Sequence, residues 1–239
     1  MPYGDVLFQR LQLAKRPDLM DLLGDLKKDP VKFRDASDAD LVNAVSAELR
    51  SAAGNSIANV RRDPHDFSYK QILIDVADKL APGRLSWTKF KMSGPETEEQ
   101  IEDYIYERLQ ILIEEKLRSM DAADRSKLQM RIEDDLRARG FPEHVVRGSL
   151  SAVAAGTLTG VVGGPFLSAV VFGSLWTLLL GITPHLLLSG FLAGGPAGIA
   201  VAAAAVTTGA SYSKTIPAVT RLIVIRRSRE AEAKLGSGQ

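Results

Sequence analysis

Between Arg147 and Lys214 the chain runs for 66 residues, Gly148 to Ser213, without one Asp, Glu, Lys or Arg, although a quarter of its residues are charged. The same block holds 12 of the 20 glycines. Crossing a bilayer core of roughly 30 Å takes about 20 mostly apolar residues, so the block has room for two comfortable spans or three tight ones. The competing arrangement is a hairpin buried in a large soluble core. An average domain interior, however, does not cover helices that are apolar on every face.

The flanks bear on topology. Arg137, Arg139 and Arg147 stand before the block, and Lys214, Arg221, Arg226, Arg227 and Arg229 after it, opposed only by Glu230 and Glu232. Basic flanks stay on the cytoplasmic side of a membrane, so the number of crossings should be even. The sequence therefore predicts a glycine-rich hydrophobic helical hairpin in the inner (cytoplasmic) membrane, with both termini cytoplasmic. Its spans would be Pro165 to Thr183 and Phe191 to Ser211, joined near Pro184 and His185. Leu150 to Val162 would form a further apolar helix beside them. The N-terminus, with Arg10, Lys15 and Arg16 and no long apolar stretch, does not read as a secretory signal.

Gly156, Gly160 and Gly164 are spaced by four, and so are Gly190, Gly194 and Gly198, 34 residues later. Each triplet clears one helix face for close backbone approach, which is how helices associate in lipid. The competing account is that they break helices, since Gly163-Gly164-Pro165 and Gly194-Gly195-Pro196 look like turns and glycine costs about 1 kcal/mol per helical position against alanine. The two accounts are equally supported.

Residues 1–147 differ in kind, with 24 basic and 27 acidic side chains and helical patterning throughout. Ser37 and Asp40 resemble a capping box ahead of Leu41, Val45 and Leu49, which predicts a helix near 38–52 stopped by Gly54. Ser68 opens a run in which Ile72, Val76 and Leu80 share a face, closed by Pro82-Gly83. Ile101, Ile105, Leu109, Leu112, Ile113 and Leu117 mark a long helix from about Glu96 to Ser119. Leu128, Ile132 and Leu136 mark another that ends at Gly140, and these two should pair as an antiparallel hairpin around Met120-Asp121. No alternating apolar pattern predicts a sheet. The fold class is all-α: a soluble amphipathic bundle over 1–147, the uncharged block over 148–213, and a basic amphipathic segment over 214–239. Residues 1 to about 140 should be soluble and helical when expressed alone, and Arg221, Arg226, Arg227 and Arg229 should meet lipid headgroups.

Chemistry is harder to find. A net charge of +1 and 6% aromatic residues argue against a nucleic-acid partner. With no cysteine, thiolate metal sites, cysteine nucleophiles and disulfides are excluded. Asp63, His65 and Asp66 make a poor ligand set, with one imidazole and two nearly adjacent carboxylates. Glu98, Glu99, Glu102 and Asp103 read as acids gathered at a helix N-terminus, where the dipole favours them. No phosphate-binding loop or dinucleotide fingerprint occurs. No catalytic residue, metal, cofactor or small-molecule substrate is expected.

Gly54-Asn55-Ser56-Ile57-Ala58-Asn59, continuing through Tyr69 to Ile72-Leu73-Ile74-Asp75-Val76-Ala77-Asp78-Lys79-Leu80, resembles the Gly-Asn/Asp-Ser-Ile-Ala-Asn element and following helix of the bacterial YaaW-like family. Thr215-Ile216-Pro217-Ala218-Val219, shortly before Arg226-Arg227, gives a second match. The two bracket about 170 residues. The resemblance implies little about activity, although some members are grouped with ubiquinol-cytochrome c assembly chaperones. In this chain Asn55, Ser56, Asn59, Arg61 and Arg62 are either a helix-capping corner or a partner-binding corner. The expected partners are a lipid bilayer and either further copies of the chain or another membrane protein. Two roles remain open: a pore-forming or membrane-perturbing effector controlled by its charged half, and an assembly chaperone or scaffold for membrane complexes.

Overall fold

The computed structural model describes residues 5–54, 67–81, 96–138, 140, 142–155 and 212–236. Among them the chain is all-α, with no strand. Eight α-helices follow in order: α1 (Val6–Gln12), α2 (Arg16–Asp25), α3 (Asp38–Gly54), α4 (Tyr69–Leu80), α5 (Glu98–Ser119), α6 (Ala122–Ala138), α7 (Glu143–Ala155) and α8 (Tyr212–Gly236). A short 3-10 turn, Pro30–Phe33, lies between α2 and α3.

The helix starts are set by local side chains. Ser37 and Asp40 form the reciprocal box: the Asp40 amide donates to Ser37 Oγ at 3.2 Å and the Ser37 amide to the Asp40 carboxylate at 3.3 Å. Ser68 accepts from the Gln71 amide at 3.2 Å and opens α4 as its pattern predicts. Thr97 and Gln100 form a second reciprocal box at the head of α5, at 3.3 and 2.8 Å. Asp121 caps α6 through the Asp124 amide at 2.8 Å. Beyond α6, Gly140 takes the left-handed conformation (φ 75°) that a side chain rarely adopts, so the chain can turn into α7.

The helices fall into two compact units, and α5 contributes to both. The first holds α1–α4, the start of α5 as far as Tyr106, and α8. Its core includes Leu7, Leu11, Leu22, Leu23, Leu41, Val45, Leu49, Tyr69, Ile72, Leu73, Ile101 and Ile105, all fully buried. Burial of such a side chain favours folding by about 1.5–3 kcal/mol.

The second unit holds the rest of α5 with α6 and α7. Leu109, Ile113, Leu117, Leu128, Ile132, Leu136 and Val146 are buried there, the periodic positions picked from the sequence except Leu112, which is half-buried, plus one from α7. α6 packs closely on α7, a pairing the sequence did not predict, and the cause is local. Gly140 folds α7 back, Gln129 donates to the Leu150 carbonyl at 3.2 Å, and Glu143 joins Arg137 to Arg147.

Among the described residues no helix is long and apolar enough to cross a membrane. Both proposed spans and all six patterned glycines, Gly156, Gly160, Gly164, Gly190, Gly194 and Gly198, lie outside the described residues. Of the apolar helix expected over 150–162, residues up to Ala155 belong to α7.

Candidate functional site

The site with the most unusual chemistry is built on α8. From Thr215 to Arg226 this helix is buried at almost every position: Ile216, Ala218, Val219, Leu222, Ile223, Val224 and Ile225 lie in the core beside Thr220, Arg221 and Arg226. It packs against α1, α2, α3 and α4. A stretch so enclosed has no polar face, so α8 is helical as expected but is not amphipathic between Thr215 and Arg226. The Arg226 side chain is only 3% exposed and the Arg221 side chain 4%. Buried charges cost several kcal/mol each unless paired, and both are paired.

Arg221 is held by α2. Its Nε and Nη2 meet the two carboxylate oxygens of Asp25 at 2.5 and 3.2 Å, a forked geometry, and Nη1 meets Asp21 at 3.0 Å. The i,i+4 spacing of Asp21 and Asp25 puts both acids on one face of the helix. Burial raises the Asp25 carboxyl above its usual range, and Arg221 opposes that shift.

Arg226 lies among four carboxylates. Nη1 donates to Glu230 at 2.8 Å and to Glu99 at 3.3 Å, and Nη2 donates to Asp103 at 2.5 Å. Nε lies 2.5 Å from Glu102 Oε2, close enough for an ion pair but without the alignment of a hydrogen bond. Burial works against the guanidinium charge; Glu230, Glu102 and Asp103 outweigh it and hold the pKa above its usual value.

Glu102 is fully buried and faces three donors. Its Oε1 accepts from Arg10 Nε at 3.0 Å and from the Tyr69 hydroxyl at 2.9 Å. Burial and then the Glu102 charge push the Tyr69 phenol well above its usual pKa. It stays a protonated donor at neutral pH, so it is not a base. Arg227 continues the pattern at the edge, meeting Asp103 at 2.8 Å with its guanidinium 4.0 Å over the Tyr106 ring. Arg229 donates to the Leu13 carbonyl at 3.0 Å.

At the other end of α8, Lys79 of α4 stands over the Tyr212 ring at 5.2 Å. Separately, Arg50 of α3 reaches both Asp5 and the Phe67 carbonyl. The helices of the first unit are thus joined by charge across sequence separations that run from 22 residues for Arg16–Asp38 to 200 for Arg221–Asp21. Chemically the arrangement binds charge to charge.

The four arginines expected at lipid headgroups therefore divide. Arg221 and Arg226 face carboxylates, and Arg227, 36% exposed, is the more open of the pair that shares Asp103. Asn55, Ser56, Asn59, Arg61, Arg62, Asp63, His65 and Asp66 lie outside the described residues. Sequence reasoning missed the partners: Asp21, Asp25, Glu99, Glu102 and Asp103 carry the site, and the last three read as ordinary first-turn acids. A signal was present in Arg221 and Arg226, two cations flanking the apolar run Leu222 to Ile225.

No family model, no curated protein and no solved structure matches the chain.

Proposed function

We propose that this is a non-enzymatic membrane-associated protein, in which folded charged helices hold the uncharged block 148–213 and present it to a bilayer as a two-span hairpin. One observation carries the reading: α8, which begins at the last two residues of the block, is a core helix of the unit built from the N-terminal helices. Among the described residues that lead from that unit to the block, no helix is long and apolar enough to cross a membrane. A chain that starts in the unit and ends in it returns to the side it left, so insertion must be even in its crossings. The basic flanks favour that same side, the cytoplasmic face of the inner membrane.

On this reading the hairpin acts on the bilayer as a pore-forming or perturbing element, alone or with further copies of the chain, and the folded helices restrain it. A second reading, an assembly chaperone or scaffold for membrane complexes, draws on the resemblance to the YaaW-like family. An alkaline carbonate wash of membranes from expressing cells separates the two. Retention in the pellet supports the inserted hairpin; complete release defeats it and leaves the chaperone.

A further inference from the structure

The first unit is made of two stretches of chain with the uncharged block between them. Its α1–α4 and the start of α5 are synthesised before the block, and α8 after it. The late helix is no accessory, since it brings Ile216, Val219, Leu222 and Ile223 to the core and one of the two guanidinium groups that neutralise Glu102. Arg10 is the other, and it too is mostly buried.

We infer that α8 is a topology-dependent clasp: the helical unit closes on chains whose block returns to the side it left, and stays open on chains whose block ends across the bilayer. This rests on the membrane reading above. Two tendencies of α8 point the same way. Its side chains complete a core that lies on the starting side, and its cations, Lys214, Arg221, Arg226, Arg227 and Arg229, disfavour transfer across the membrane. An open unit would leave its core helices exposed, Asp25 without Arg221 and Glu102 with Arg10 as its one arginine, a state that proteases cut readily.

The experiment uses the full chain, N-terminally tagged and synthesised with inner-membrane vesicles whose cytoplasmic face is outward. It compares the wild type, an R221E/R226E variant, and a chain with a second copy of 165–183 inserted between Ser211 and Tyr212 to add one crossing. Protease is added outside and the tagged fragment covering α1–α4 is timed. The wild-type fragment should persist. In both variants its lifetime should fall roughly a hundredfold or more, as expected when a buried ion pair is broken.

Added peptide 212–236 should restore the fragment of the extra-crossing chain, which separates a missing clasp from general misfolding. A fragment that persists in the extra-crossing chain, that persists in R221E/R226E, or that is not restored by the peptide overturns the clasp while leaving membrane insertion intact. A wild-type chain that never becomes resistant to carbonate extraction defeats the membrane reading, and the clasp with it.

Discussion

Replacing Arg226 by Met keeps most of the apolar volume and removes the charge, which isolates what the guanidinium contributes. Its side chain is 3% exposed and Glu102 is fully buried, so water cannot take over as a partner without opening the unit. Removing one member of a buried pair costs about 3–5 kcal/mol, because the other charge stays buried and uncompensated. Arg10 and Tyr69 still reach Glu102 Oε1, which places the expectation near the lower end, about 3 kcal/mol. Against a domain stability of about 5–15 kcal/mol this is a large fraction. Amide exchange measured by mass spectrometry on the full-length protein reports it locally. Amides of α2 and of the start of α5 that open only with the whole unit should exchange on the order of a hundredfold faster. The control is Arg118→Ala, which breaks an exposed pair with Glu114 and should cost no more than about 0.5 kcal/mol. If Arg226→Met exchanges like that control, the cluster is not holding α8 and the account of the site is wrong.

Other consequences follow from the same geometry. A chain ending at residue 140 lacks α8 and should be helical by circular dichroism yet unprotected in exchange; native-like protection would show that α8 is dispensable. Because burial raises the Asp25 carboxyl above its unfolded value, this group favours the fold most below the ordinary carboxylate pKa of 3.8 and loses that contribution as pH rises through the raised value. The stability difference between wild type and Asp25→Asn should therefore move against the wild type as pH rises over that interval, and a difference that moves the other way in urea melts contradicts the shift. For the glycine faces, Gly160→Leu and Gly194→Leu should leave the protein in the membrane but abolish dye leakage from vesicles, since leucine partitions better while blocking close helix contact. Leakage that survives both substitutions would place the assembly surface elsewhere.

Local signals in the sequence were legible because their causes are local. Ser37 and Ser68 start helices through atoms three residues away, and Leu41, Val45 and Leu49 or Ile101 and Ile105 reach the core by helical spacing alone. Pairing was legible only where a turn dictated it. Gly140 folds α7 onto α6, a contact that no apolar pattern announced. The site itself was not legible, because apart from Glu230, one turn beyond Arg226, the acids that meet Arg221 and Arg226 lie more than 120 residues away, and one helix spacing serves both uses of an acid. Glu99, Glu102 and Asp103 suit the positive end of a helix dipole, and they equally suit a guanidinium arriving from α8. A composition shift at Arg147 likewise marks where charge stops, although the chain returns to its first unit beyond the block.

Two partners compete in principle for the arginines of α8, acidic lipid headgroups and the carboxylates of α2 and α5, and magnitudes decide between them. A basic residue near an anionic membrane surface gains about 1 kcal/mol. Extracting Arg226 from Glu102 and its neighbours forfeits about 3 kcal/mol on the estimate above, and extracting the helix as a whole also exposes Ile216, Val219, Leu222 and Ile223, each worth about 1.5–3 kcal/mol when buried. Anionic lipid therefore cannot draw α8 out of the unit by charge alone. On the membrane reading proposed above, the bilayer contact left to this helix while it stays docked is at its edge, where Arg227 is only partly covered by Asp103 and Tyr106. Any change that frees the uncharged block must then act on the block or its own neighbours and leave α8 in place, so the charged unit would remain closed through insertion rather than unfold to permit it.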